Sequence, residues 1–538
     1  MRHHAKTTTR DHLFMLHAHS SFRPLGFLAS GLVGLALWPA AAQAQLTPDE
    51  VRTQIGWFDL EERLGTGAVP TGDGVSILQC EAPEAANEWM PNVNAASGAH
   101  FQGKVFNIPF GSPAASSHAT SVAKLCYGNL DSIAPGVSDI WLYETGTFLT
   151  SGYLKTGQSG VLPSEPPSES IRIMNHSWIG EFGNASDSNA LNRLDYLINR
   201  DNLLSLNGRG NAGDPDVRLL AFSFNSITVG AAQGNDLTSD TPAGFDGPGR
   251  MKPDLVAPGE FTSFTTPVVS ATAAVLYETI ATDPVLSEDS LISSRQPIMK
   301  AILLAGASRD EAWTNQPVDG VTSRPIDEEQ GAGVVNVDRS HQILTGYRHS
   351  SASSLESAPV IPRSGFDYPR PTPGQTRWWR FSANRTLDEL SVALTWPRLP
   401  STSFGAYSLM DLDLELVRIV DGQAQPIAAS DGLFDSGNVL STSQVDNVEL
   451  LSIRGLQPGD YALRVTRMNS GSTAFSGLAW LMIESEGIPG DYDGNGVVNG
   501  NDLAQLLSAW GTNAPEFDLT GDALIDGADL AKLLSNWG

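Results

Sequence analysis

Cysteine is nearly absent from this chain. The 538 residues hold two, Cys80 and Cys126, too few for a disulfide-built scaffold and without the paired spacing of a structural zinc site. In an oxidising compartment the two could form one disulfide, or both could be buried thiols; the sequence leaves both open. Basic residues are scarce as well. Thirty-three Lys and Arg stand against sixty Asp and Glu, a formal net charge of −27. Such a surface repels phosphate backbones and anionic headgroups, which argues against nucleic acid as a partner. Beyond residue 44 no apolar run is long enough to span a bilayer.

What is present is ample core-forming material. Hydrophobic residues make up 41% of the chain, and the length allows roughly three or four domains of about 100–200 residues. The N-terminus carries Arg2, Lys6, Arg10 and Arg23, then an apolar run from Leu25 to Trp38, then Ala42-Gln43-Ala44. A basic region, a short hydrophobic region and an A-x-A site make a secretory signal. Residues 1–44 are therefore expected to be removed, leaving no membrane span and a protein that is secreted, on the cell surface or periplasmic.

Residues 45–348 alternate short apolar runs with helix-like segments, which predicts an α/β fold with a parallel sheet between helices. Strands are expected at Val75–Cys80, Ile140–Tyr143, Ile171–Met174, Leu203–Leu206 and Ile227–Val229, and helices after His118, around Ala190–Ile198, after Ser263 and over Gln296–Ala305. A Ser/Pro-rich stretch from Ser350 to Pro373 reads as a linker or edge. Over residues 349–487 the pattern is strand-only. Leu390–Trp396, Leu412–Leu416 and Tyr461–Val465 alternate in period two, which predicts an antiparallel β-sandwich.

Residues 488–538 contain a duplication. Asp491-Tyr492-Asp493-Gly494-Asn495-Gly496 through Trp510-Gly511 recurs 27 residues later as Asp518-Leu519-Thr520-Gly521-Asp522-Ala523 through Trp537-Gly538. Each half is an oxygen-rich loop followed by one amphipathic helix.

The segment Thr262-Ser263-Phe264-Thr265-Thr266-Pro267-Val268-Val269-Ser270 puts a serine just ahead of a small-residue apolar run. A serine hydroxyl needs a neighbouring base, itself oriented by an acid, and a helix start supplies N–H groups for an oxyanion. With Lys252-Pro253-Asp254-Leu255-Val256-Ala257-Pro258-Gly259 upstream, this segment resembles the G-T-S-x-A-T-P region of the subtilisin-like peptidases. Ser117-His118-Ala119-Thr120-Ser121-Val122-Ala123 resembles the H-G-T-x-V-A motif of the same family, followed by Ile133-Ala134-Pro135-Gly136-Val137. Gly72-Asp73-Gly74-Val75 and the strand after it resemble the segment that ends in the family's aspartate.

The resemblance implies a subtilisin-like parallel sheet flanked by helices and a serine endopeptidase working through an acyl-enzyme. In it Ser263 is the nucleophile, His118 the base and Glu81 the acid in the aspartate position, with Glu84 in reserve. No cofactor is needed for that chemistry. Asn211 or Asn207 would hold the oxyanion. Ser177, Trp178 and Gly180 lie where the family pairs with its peptide substrate, and His176 beside them is expected to be structural. Phe261 and Ala119 replace motif glycines. The alternative is therefore a catalytically impaired peptidase fold acting as an extracellular binding or assembly protein.

The duplicated tail resembles a dockerin, a small helical module of two calcium-binding repeats. Calcium takes six to eight oxygens from loop positions 1, 3, 5, 7, 9 and 12. The first loop offers Asp491, Asp493, Asn495, the Val497 carbonyl, Asn499 and Asp502. The second offers Asp518, Thr520, Asp522, the Leu524 carbonyl, Asp526 and Asp529. Ala523 in place of the turn glycine and Thr520 as a weak ligand predict a weaker second site. A dockerin-like tail further implies a cohesin-like protein partner alongside protein or peptide substrates.

Overall fold

A computed structural model describes residues 46–94, 98–212, 214, 216–234, 250–485, 487–492 and 496–538. The expected signal segment and the loop positions Asp493 and Asn495 lie outside the described residues. No helix among those described is long and apolar enough to cross a membrane.

Seven parallel strands form the first sheet: β1 (Ser76–Glu81), β2 (Val105–Asn107), β3 (Asp139–Glu144), β4 (Ile171–His176), β5 (Leu204–Gly208), β6 (Ile227–Ala231) and β7 (Leu255–Ala257), in the order β2-β3-β1-β4-β5-β6-β7. Central strands such as β1, β5 and β6 are buried along their whole length, as expected where helices cover both faces. Helices α1 (Ser117–Tyr127), α3 (Thr262–Thr282) and α4 (Gln296–Gly306) pack into one core with Ile77 and Ile173, and α2 (Asn184–Asp201) packs into another with Leu78 and Met174. The five strands and four helices read from periodicity fall on these elements. The short strands β2 and β7 were not foreseen, because three residues carry too little pattern to stand out.

The alternation within β1 also answers the cysteine question. Cys80 points to the α2 side and Cys126, on α1, lies in the core on the opposite side. Both are buried free thiols.

The antiparallel part has two sheets. One contains β9 (Ser364–Asp367), β11 (Leu387–Thr395), β14 (Ser436–Gly437), β16 (Val448–Leu456) and β18 (Gly477–Glu484). The other contains β8 (Val321–Thr322), β10 (Thr376–Ala383), β12 (Leu412–Val420), β13 (Gln423–Pro426), β15 (Leu440–Ser441) and β17 (Gly459–Arg467). Between them lie Trp379, Trp396 and Trp480 with the inward residues of both sheets.

This sandwich shares a core with the parallel-sheet unit. Phe366, Ala393, Leu450, Ala479 and Leu481 belong to the same apolar cluster as Ile298 and Ile302 of α4. Thr395 donates to the Pro297 carbonyl and Ser391 to that of Ala305, both at 2.7 Å. The expected division at 348/349 is thus crossed by a continuous core, and β8 joins the sandwich sheet from ahead of it. In the tail, α5 (Gly500–Ser508) and α6 (Gly527–Ser535) close over Val498, Leu506, Ala509, Ile525 and Leu533.

Candidate active site

Strand β1 ends on Glu81, whose side chain is 1% exposed. Its Oε2 lies 2.9 Å from Nδ1 of His118, the second residue of α1. The other carboxylate oxygen, Oε1, accepts from Gln79 Nε2 at 2.7 Å. Gln79 also donates to the Ala119 carbonyl at 3.1 Å and accepts from the Tyr127 hydroxyl. Gln79 and Glu81 are two apart on the strand and so share a face. That spacing was the available signal for Gln79, which the sequence reading passed over.

Burial acts to lower the His118 pKa, but the charge and hydrogen bond of Glu81 and the charge of Glu84 outweigh it, so the imidazole sits above the usual histidine value. With Nδ1 committed to Glu81, Nε2 is the nitrogen left for proton transfer.

Glu84 takes a different place from Glu81. It accepts from Ser117 N at 2.6 Å, Ser117 Oγ at 2.7 Å and His118 N at 3.2 Å. The Glu81 register therefore puts its carboxylate on the ring, while Glu84 holds the backbone.

Ser263 is the second residue of α3. Its Oγ donates to the Ser177 carbonyl at 3.4 Å, and the Phe264 ring beside it lies 5.8 Å from the His118 ring between centroids. No Ser263–His118 hydrogen bond is formed in this state. A serine–base contact is often loose before substrate arrives.

Of the two asparagines, Asn211 is the one joined to the turn that carries Ser263. Its Oδ1 accepts from Thr262 N at 2.9 Å and Thr262 Oγ1 at 3.2 Å, and its Nδ2 donates to Asp214 at 3.1 Å. Asn207 is fully buried at the end of β5. Its amide donates to the Leu220 carbonyl and its Oδ1 accepts from Ser205, so it is spent on the strand layer. The Ser263 N–H has no hydrogen-bond partner among the described residues; it is one of the orphan donors of a helix start.

The expected substrate edge is only partly open. Ser177 presents its carbonyl to Ser263. Trp178 is buried, its Nε1 3.3 Å from His176 Nδ1. Gly180 has both main-chain groups paired with Leu219, so they are not free for a peptide. His176 is fully buried and pushed down to about 3 by that burial, which fits a neutral structural role.

The two glycine replacements cause no backbone conflict. Phe261 has φ −124° and ψ 133°, extended backbone open to any residue. Ala119 sits in the first turn of α1 with its methyl in the core. Beside Phe264, a 350 Å³ cavity is lined mainly by apolar side chains, including Leu46, Val51, Leu125, Phe261 and Val268.

In the tail, Asp518, Asp522 and Asp529 bring carboxylate oxygens within 4.8 Å of one another. An oxygen-only cluster of this kind suits a hard divalent cation. Asp529 also accepts from Leu519 N, Thr520 N and Asp526 N, and Thr520 Oγ1 donates to Asp529 at 3.2 Å. The Leu524 N–H donates to Asp522. In the first loop Asp502 accepts from Tyr492 N and Asn499 N, Asp491 accepts from Gly496 N, and the Val497 carbonyl accepts from Asn499 Nδ2. Asn499 and Asp526 cap α5 and α6.

The sequence profile described as the Subtilase family matches residues 76–333. A curated relative, "Serine protease/ABC transporter B family protein tagA" of Dictyostelium discoideum, is 24% identical over 282 residues; the match covers 46% of this chain and 16% of that protein, so this chain spans about a sixth of its length. Among solved structures, prenylagaramide maturation protease PagA aligns at 19% identity over 52% of this chain and 97% of its own, with a TM-score of 0.33. Patellamide maturation protease PatA aligns at 19% over 51% and 98%, with a TM-score of 0.31. The match of the family profile to the segment that carries Glu81, His118 and Ser263 makes residues 76–333 of this chain a subtilase-family domain.

Proposed function

We propose that this chain is an exported serine endopeptidase that hydrolyses peptide bonds through an acyl-enzyme. The observation that carries the reading is the buried Glu81 carboxylate 2.9 Å from His118 Nδ1, with Ser263 at the start of α3 one residue ahead of Phe264, whose ring neighbours that of His118. Ser263 Oγ attacks the scissile carbonyl as His118 Nε2 takes its proton. Glu81 fixes the ring and stabilises the imidazolium, which then protonates the leaving amine. The oxyanion that forms is held by the Ser263 N–H and by the Asn211 amide, which must swing off Asp214 to reach it. The apolar cavity lined in part by Phe264, whose ring neighbours that of His118, favours an apolar side chain in the substrate.

The alternative, an impaired peptidase fold that only binds, drew its support from the replaced glycines. The permissive backbone at Phe261 and Ala119 weakens that ground. A fluorophosphonate probe separates the two readings. Labelling of the wild type but not of Ser263→Ala, together with casein hydrolysis lost in that variant, supports the enzyme. Equal behaviour of both chains defeats it.

For the tail we propose a calcium-dependent dockerin-like module. Its acidic loops would supply the oxygen ligands, and the bound ion would neutralise the clustered carboxylates. Exposed Leu507 and Leu534 on its two helices, with exposed Trp510 and Trp537 just past the helix ends, repeat in both halves and support docking to a cohesin-like protein.

A further inference from the structure

The serine-peptidase reading gives Glu84 no role. Its placement nevertheless stands out in the accounting of the first turn of α1. A helix start leaves N–H groups without intrahelical partners. Here Ala119 N is taken by the Ser116 side chain, at 3.0 Å. The two N–H groups ahead of it, Ser117 and His118, both go to one carboxylate, Glu84, which also accepts from Ser117 Oγ. Glu84 stands three residues after Glu81, the last residue of β1, and its segment is braced by Glu84 N donating to the Glu88 carbonyl at 3.0 Å.

We propose that Glu84 is a positioning residue of the site: it holds the backbone of His118 while Glu81, at the end of β1, holds the ring. A histidine on the exposed first turn of a helix has freedom in its backbone as well as in its side-chain torsions. Fixing the ring alone leaves that first turn free to fray away from Ser263. Two carboxylates three residues apart, one at the end of β1 and one just past it, restrain both, so the imidazole moves with β1 rather than with the end of α1. The second carboxylate also acts on the ring's charge. The groups facing His118 are Glu81 from β1, Glu84 from the loop, and uncharged Phe264 from α3. Burial alone would lower the histidine pKa, and Glu81 first, then Glu84, push it back up.

The kinetic part of this inference rests on the peptidase reading; the titration part does not. In the full chain, Glu84→Ala should lower kcat about tenfold to a hundredfold, the scale of a small misplacement of a catalytic group, with KM little changed. Glu84→Gln keeps an acceptor for the two amides and should recover most of kcat. Its acid limb should move to lower pH because a negative charge near His118 is gone. A purely structural role would cost stability without moving that limb.

The independent arm is the NMR titration of His118 in histidine-labelled Ser263→Ala chain, its signal assigned by loss in His118→Asn. Adding Glu84→Gln should lower the midpoint. An unmoved midpoint together with wild-type kcat in both Glu84 variants overturns the proposal. If wild type hydrolyses nothing, the peptidase reading falls, and the titration alone decides the role of Glu84: a lowered midpoint supports it and an unmoved one overturns it.

Discussion

Glu81 Oε2 and His118 Nδ1 stand 2.9 Å apart, with the carboxylate 1% exposed at the end of a central strand. A glutamate is one methylene longer than aspartate. Here the added length is absorbed because Gln79, on the same strand face, ties down the far carboxylate oxygen.

Glu81→Gln should therefore cut kcat by about four orders of magnitude, as an amide does when it replaces a triad acid. KM should stay near wild type. Glu81 raises the His118 pKa, so its removal lowers that pKa, and the imidazole is then neutral, and able to act as a base, at lower pH. The acid limb of the residual activity should shift downward. A pH series of kcat/KM on a peptide substrate checks both the size and the sign.

Asn211→Ala should lower kcat about a hundredfold to a thousandfold, the loss seen when one oxyanion donor is removed, with KM little changed. Asn207→Ala should act on stability instead, since its amide and carbonyl are both buried in pairing with Leu220 and Ser205. Steady-state kinetics and thermal melts of the two variants distinguish the roles. A kinetic loss confined to Asn207→Ala would reverse the assignment.

Asp254 accepts from Thr228 N at 2.7 Å and pairs with both Lys252 and Lys300, all of them buried. Asp254→Ala leaves two buried ammonium groups without their carboxylate, which should cost about 3–5 kcal/mol. Denaturant unfolding of the Ser263→Ala chain with and without this change measures it.

Ala523 holds φ +67° in the second acidic loop, where the first loop has Gly496 at +82°. Left-handed backbone costs a non-glycine residue roughly 1–2 kcal/mol. Ala523→Gly should tighten calcium binding by the second loop and raise the resistance of the tail to limited proteolysis at low calcium. Chelator should make the tail the first part of the chain to be cut. Cleavage indifferent to calcium in both chains would remove the calcium reading.

Much of the parallel-sheet unit was legible from residue order. Largely apolar strand segments such as Ile77-Leu78 and Ile227-Thr228-Val229, separated by helical periodicity, have few folds open to them. Ser263, His118 and Glu81 stood out through the resemblance of the segments around them to subtilisin-like motifs, and each segment is contiguous: a helix start for Ser263, a helix start for His118 and a strand end for Glu81. Such segments are written locally.

Four features were decided by tertiary structure. Glu81 and Glu84 are acids three residues apart at and just past the end of β1, and only the position of α1 tells which reaches the ring. Asn207 lies at the end of β5 and Asn211 follows it, and the approach of Thr262 joins Asn211 to the turn that carries Ser263. Trp178 and Gly180 became buried or paired because the Leu219 segment packs across the end of β4, a contact between residues about forty apart in sequence. The shared core of α4 with β11 and β18 likewise arises from apolar faces that each look complete on their own strand or helix. Periodicity reveals that a face is apolar; which other face covers it depends on the path of the whole chain.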